Sequence, residues 1–241
     1  VSGLPASARL AWWGTAWLQG RIGPDAFLDG VLAEDAAHVV GGPEGAAPLL
    51  LELADARNRG ASGIGAVFPV PGDPAGLRGP RELNAAAIEA GEAALLLGAG
   101  TALVPTQVGR AVEWTVLPAE RRAPLDVGEA DRALRAGLLT AANALADLDV
   151  ASWQPEVADE LHDLRAAVPL EAPEGVPARC LDLAGRALHL LAVAQLALAD
   201  DGGALSAGEA ATRRAAIEPL ERAARHALGA ACSPDGWPPS R

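Results

Sequence analysis

The residues best placed to do chemistry in this chain lie together between Pro69 and Asn84. Asp73, Arg78, Arg81, Glu82 and Asn84 are set among prolines and glycines, after an apolar run ending at Val70 and before a helical pattern starting at Pro80. Backbone N–H groups at a helix start are unpaired and carry the positive end of the macrodipole, so they receive anions. Arg78 or Arg81 could hold such an anion through two parallel N–H bonds. Asp73, Arg78, Arg81 and Asn84 are therefore the expected ligand-binding set, and a small anion is the expected ligand. The competing reading is an ordered strand-to-helix connection whose prolines and glycines only set turn geometry. The loop matches neither a Walker A loop nor a complete GxGxxG, and with no Lys in the chain nothing can serve a P-loop.

Other constellations carry less. Asp159, His162 and Asp163, within an acidic run that includes Glu156 and Glu160, share a helix face and could touch a divalent ion. One helical turn rarely completes a ligand set, so a solvated face is expected and no metal is. Cys180 lies nine residues from His189 and Cys232 six from His226, spacings that turn each pair away from one another on a helix. A Cys–His nucleophile is not expected. The two cysteines stand 52 residues apart without a CxxC, so small buried thiols are the expectation, and a disulfide between them stays open. Ala61-Ser62-Gly63 lacks the flanks of a nucleophile elbow. The glycines from Gly60 to Gly65 precede a strand, the reverse of a dinucleotide fingerprint, and read as a helix cap and tight turn. Neither a catalytic set nor a cofactor is expected. Of three tryptophans on the first helix, Trp13 and Trp17 read as core, and Trp12 reads as an outward partner contact.

The elements that must position these residues change character along the chain. Leu10, Trp13, Trp17 and Leu18 recur at helical spacing, and Gly20 ends that helix. Pro24 starts a second one, with Asp25 in its first turn. His38–Val40, Ile64–Val70, Leu95–Leu97, Ala102–Pro105 and Ala111–Leu117 read as strands, with helices over Leu49–Arg59 and Arg81–Ala90. Val112, Trp114 and Val116 alternate with Glu113 and Thr115, which predicts a half-wet, antiparallel or mixed sheet. Pro118 to Pro124, with Glu120, Arg121 and Arg122, reads as a linker.

Beyond it the β pattern stops. Helices are expected over Asp126–Leu148, Val150–Val168, Arg179–Ala199 and from Ser206 to about Ala231. The last is capped by Ser206 and Glu209 and kinked or divided at Pro219. The predicted fold class is α+β: a small mixed or antiparallel sheet with helices over 1–120, then a bundle of about four helices over 121–241.

Composition narrows the partners. Half of the 241 residues are hydrophobic, which is ample for a packed core. All 19 basic residues are Arg, a mark of GC-rich coding that warns against reading every arginine as a phosphate clamp. Net charge is −12; residues 1–120 hold 13 acids against 7 Arg, and residues 121–241 hold 18 against 12. Neither half offers the basic stripe that binds nucleic acid or anionic membranes. Leu181–Ala199 is apolar but contains Asp182, Arg186, His189 and Gln195, too polar for a bilayer span, and the first twenty residues lack a leader pattern. Cytoplasm is the expected compartment.

Leu10-Ala-Trp-Trp13, Val70-Pro-Gly-Asp-Pro74, Asn84-Ala-Ala-Ala-Ile-Glu-Ala-Gly-Glu92 and Glu113-Trp-Thr115 give the chain a resemblance, over nearly its full length, to an uncharacterised conserved protein family of high-GC Gram-positive bacteria. That family has no assigned activity, so the resemblance implies no chemistry. The expected function is a non-enzymatic cytoplasmic binding or adaptor protein acting through protein–protein contacts, with a homo-oligomer as one form of it. The alternative is a sensor or enzyme for a small anionic ligand, using the Pro69–Asn84 loop with acids such as Glu92 or Glu113.

Overall fold

Six short apolar segments punctuated by glycine turns build one mixed sheet. The structure is a computed structural model that describes residues 3–42, 45–147, 170–199 and 207–237. Its strands are β1 (Ala37–Val40), β2 (Ala47–Pro48), β3 (Gly63–Val67), β4 (Ala93–Leu97), β5 (Thr101–Val108) and β6 (Ala111–Pro118). Their order across the sheet is β2-β1-β6-β5-β4-β3. The last four form an antiparallel meander, β1 runs parallel to β6, and β2 pairs antiparallel with β1. Gly109, at φ +60°, opens the two-residue loop joining β5 to β6, the position where a hairpin turn requires a positive φ.

Helices cover the sheet unequally. α1 (Ala6–Leu18), α2 (Pro24–Leu32) and α3 (Leu49–Asn58) pack on the face presenting Ile64, Ala66, Leu96, Leu103, Val112 and Trp114. On the opposite face, α4 (Arg81–Ala90) covers Val67, Leu95, Ala102 and Val104 through Leu83 and Ala87. Alternation along β6 thus has the cause read from its sequence: Trp114 is fully buried, while Thr115 is exposed.

The carboxyl-terminal half is helical, with α5 (Val127–Asp147), α6 (Ala178–Ala199) and α7 (Ala207–Ala231). The expected helix over Val150–Val168 and its acidic run lie outside the described residues. α7 packs along both α5 and α6, which scarcely touch each other. Gly137 of α5 sits where a Cβ would lie 3.5 Å from the Leu220 Cα, so the small residue sets that close approach. Pro219 does not divide α7. It is exposed, and the flanking Ile217 and Leu220 are buried, so packing on both sides holds the segment helical despite the lost N–H.

The two halves share a core. One buried cluster contains Leu10, Trp12 and Trp114 together with Leu134, Leu183 and Leu228. Trp12 overturns the expectation of an outward contact: it is 0% exposed, and its Nε1–H donates to the Ala231 carbonyl at 3.2 Å. The sheet, α2 and α3 pack around α1, and Trp12 lies on the side that meets the end of α7. Trp13 and Trp17 are the partly buried ones, with Trp13 against Gly30 and Trp17 tilted on Phe27.

The outer edge of β3 is closed by the Thr15 side chain and by the chain just after α7, not by another strand. Thr15 Oγ1 accepts from the Ile64 N–H at 2.9 Å and donates to the Ile64 carbonyl at 3.3 Å. Two residues on, the Ala66 N–H donates to the Cys232 carbonyl, and Ser233 Oγ, whose one proton goes to the Gly229 carbonyl at 2.6 Å, lies 3.3 Å from the Ala66 carbonyl. Every β3 residue is buried as a result.

A candidate ligand cavity beside Arg122

The Pro69–Asn84 loop is an ordered connection. Val70 and Asp73 exchange backbone hydrogen bonds at 2.9 Å across Pro71-Gly72, with Gly72 at φ +84°. Asp73 Oδ1 accepts from the Ala75 N–H at 3.1 Å. The rest of its carboxylate faces α7, where His226 Nε2 lies 3.0 and 3.1 Å from its two oxygens and Arg225 Nη2 donates to Oδ2 at 3.2 Å. Arg222 is a longer neighbour at 3.6 Å. Burial raises the Asp73 pKa, but the bonds from His226, Ala75 and Arg225 outweigh it and hold the carboxyl below its ordinary value. Asp73 therefore ties the loop to the helical half.

The other three loop residues do not join it. Arg78 and Arg81 are exposed. Asn84 donates to the Gly79 carbonyl at 3.3 Å, and its buried Oδ1 has no hydrogen-bond partner among the described residues. Asp73 is thus engaged by α7, Arg78 and Arg81 stand at the surface, and Asn84 turns back to the loop. Glu92 accepts from the Ser7 N–H at 2.8 Å, capping α1 from 85 residues away, and burial raises its pKa. Glu113 lies against Gly41 on β6.

A cavity of about 660 Å³ opens beside the glycine-bearing end of β3 and β4, lined by Gly63, Leu95 and Leu97, the Gly98–Thr101 turn, the 119–124 segment and Pro234-Asp235. Arg122 is its distinctive residue. The segment read as a linker buries this side chain to 2% exposure. Its Nη2 donates to Asp235 Oδ1 at 3.2 Å, and its Nε and Nη1 are buried without a hydrogen-bond partner among the described residues. Thr101 Oγ1, also on the lining, is buried and unpartnered too. Burial pulls the Arg122 pKa down and Asp235 opposes that pull; the guanidinium stays charged at neutral pH.

The local sequence explains how an arginine fits there. Gly65 lies where a Cβ would come within 2.6 Å of Arg122 Nη2 and 3.1 Å of Ser233 Oγ. Glycine in the strand thus admits the guanidinium, as close approaches to a strand backbone require. That Gly63-Ile-Gly65 alternation was the one sequence signal for the site. Arg122 itself, beside Arg121 in a proline-flanked stretch, carried none.

Two further polar groups are structural. Trp114 Nε1–H donates to His38 Nδ1 at 3.2 Å, which places the imidazole proton on Nε2, 3.1 Å from Asp35 Oδ2; Arg9 also pairs with Asp35. Burial, the largest influence, lowers the His38 pKa. Cys180 and Cys232 are free and buried; burial pushes the first thiol up to about 11 and raises the second well above its ordinary value. Neither is a thiolate at neutral pH. Among the described residues no group of three His, Cys, Asp or Glu side chains forms a metal cluster. Helix α6 is long and apolar enough, by length and composition, to cross a membrane, yet Cys180, Leu183, Ala184 and Ala187 on it belong to the shared core.

No solved structure matches the chain. It is 29% identical, over 96% of its own length and 98% of theirs, to the uncharacterized proteins Rv1486c and MT1533 from two strains of Mycobacterium tuberculosis. Residues 7–127 match the model of the Rv1486c-like protein N-terminal domain, and residues 128–229 that of the corresponding C-terminal domain. With both models matched over nearly all of its length, the chain belongs to the Rv1486c-like protein family.

Proposed function

We propose that the protein is a non-enzymatic cytoplasmic binding protein whose small anionic ligand occupies the cavity beside Arg122. The observation that carries this reading is the charged Arg122 side chain on the lining of a cavity bounded by Leu97, Pro124 and Pro234. A guanidinium beside such a wall attracts an oxyanion through its charge. The volume, about 660 Å³, falls in the range of small-molecule sites. The same lining contains no nucleophile–base pair, which favours binding over catalysis. The reading keeps the small anion expected from the sequence and moves it from the Pro69–Asn84 loop to the cavity. The test is native mass spectrometry of the full chain purified under non-denaturing conditions from an actinobacterial host, beside an Arg122→Met variant. A small acidic adduct on the wild type and its loss in the variant are expected. An adduct of equal occupancy on both sinks the assignment.

A second reading, contact between protein copies, draws on Leu138 and Leu139 of α5, which are 44% and 63% exposed side by side. The occupant it proposes is a second copy of this chain. Sedimentation velocity across a hundredfold concentration range tests it, and a constant monomer mass removes it.

A further inference from the structure

We infer that Cys180 and Cys232 form a modification site, a reversible disulfide that clasps the first turn of α6 to the end of α7. The pair shares no residue with the cavity lining.

Three observations bring the two sulfurs together. The first is register. Only a short connection separates the end of α6 at Ala199 from the start of α7 at Ala207, so two helices that pack along one another there run antiparallel. Near that connection Ala194 and Ala197 pack with Ile217 in one buried cluster. Counting back fourteen residues from Ala194 reaches Cys180, and counting forward the same number from Ile217 reaches Ala231, the neighbour of Cys232. Equal rise per residue sets the two cysteines level. On the same register Leu183, Ala184 and Ala187 fall opposite Leu228, Ala227 and Ala224, and all six are buried in one cluster.

The second is the width of the seam. Four of those six residues are alanine, and small side chains let helix axes approach to the close end of a range of about 8–10 Å. With each Cα about 2.3 Å from its axis, facing Cα atoms come within about 6 Å, inside the span of a disulfide. Cys232 keeps to the helical path, since its N–H donates to the Leu228 carbonyl at 3.0 Å.

The third is the surroundings of the sulfurs. Both side chains are 0% exposed and belong to the same core cluster. Burial is the main cause of the raised Cys232 pKa, and the Cys180 sulfur adds to it, an influence that needs the two sulfurs close.

The structure holds both thiols free. A low-molecular-weight disulfide is the oxidant. One cysteine thiolate attacks a sulfur of the reagent, breaks its S–S bond, forms a mixed disulfide and expels one thiolate. The second cysteine thiolate attacks the protein sulfur of that mixed disulfide, forms the Cys180–Cys232 bond and expels the other. Two cysteines are oxidised, the reagent is reduced to two thiols, and the cysteine protons end on them. Because both sulfurs are shielded, each attack waits for an opening that returns the thiol to water. In a reducing compartment the pair rests as thiols and closes under oxidative load. Once closed, the bond fixes the Cys232 carbonyl that accepts the Ala66 N–H, and so locks the covered edge of β3.

The test refolds the full chain from urea in a buffer of 2-hydroxyethyl disulfide and 2-mercaptoethanol, so that both thiols are reachable and burial hides nothing. Acid-quenched, alkylated samples are read by intact mass and tryptic mapping. The native protein is expected to lose about 2 Da, two hydrogens, and to yield peptide 180–186 linked to peptide 226–241, since Arg179, Arg186 and Arg225 set the cuts. Its melting temperature should rise by about 5 °C or more, and 2-mercaptoethanol alone should reverse both changes. The bond should be favoured at least about tenfold more in the native protein than in urea, because what it adds to folding, folding adds to it. Cys180→Ala, one more alanine on an alanine seam, should fold and show neither change. Free thiols, mixed disulfides or disulfide-linked dimers on the native protein overturn the clasp. So does a bond no more favoured in the native protein than in urea, or an oxidised chain that melts below the reduced one.

Discussion

Replacing Arg122 by Met separates a residue kept for binding from one kept for folding. Arg122 makes one charge-assisted hydrogen bond, to Asp235, a contact worth about 1.5–3 kcal/mol. Against it stand two buried, unpartnered nitrogens, each costing about 1–3 kcal/mol, along with the desolvation of the charge. The sum is near zero or unfavourable. Methionine keeps most of the volume against Gly65 and removes the unmet donors. Asp235 is left behind, but at 21% exposure it can turn to water. Urea denaturation of the ligand-free protein should therefore show the variant equal to the wild type or up to about 2 kcal/mol more stable, as buried ion pairs replaced by apolar groups often are. A purely structural role predicts the opposite sign, because breaking a needed buried pair costs about 3–5 kcal/mol. A loss above about 2 kcal/mol, in Arg122→Met and in the double variant with Asp235→Asn alike, would refute the reasoning, since the double variant leaves no orphaned carboxylate to blame.

Three other outcomes are expected. Asp73→Asn should cost about 1.5–3 kcal/mol by weakening its bonds to Arg225 and His226; because the folded Asp73 pKa is lowered, its contribution is present above the unfolded value of 3.8 and is lost as pH falls through the folded one. Melting temperatures of wild type and variant should thus differ at pH 7 and converge below pH 3.8; a constant difference across that window contradicts the assignment. Trp12→Phe should lose about 1 kcal/mol for the bond to Ala231 and Trp12→Ala about 3–5 kcal/mol, measured by urea denaturation; a neutral Trp12→Ala would return this residue to the surface. Cys180 and Cys232, with their raised thiol pKa values, should resist iodoacetamide in the folded protein at pH 8 and react in denaturant, as read by intact mass.

The fold was legible wherever one residue pattern met one environment. β6 alternates from Val112 to Thr115 because one face of that stretch meets the larger core, and Pro24 starts α2 at the residue expected from its fixed φ. Legibility failed where two elements that are distant in sequence meet. Trp12 could not be placed from α1 alone, because the carbonyl of Ala231 that receives its proton lies 219 residues away. β2, of two residues ending in Pro48, has no periodicity to detect. The candidate site was legible only in part for the same reason. Asp73, Arg78, Arg81 and Asn84 are neighbours along the chain, and only local chemistry could be read from them, whereas α7 decides what Asp73 does. Arg122 meets Gly65 and Asp235 from two other segments, and only tertiary structure brings those three together.

The closure of β3 bears on whether the two family domains could ever be separated. Residues 7–127 expressed alone would keep Thr15 on the strand but lose Cys232 and Ser233, baring the amide and carbonyl of Ala66 to any passing chain. Such a rim recruits foreign strands and seeds aggregates. Gene fission between these halves is thus penalised at the level of solubility, before any loss of ligand binding is felt, and a workable split protein would need its second piece present as the first one emerges.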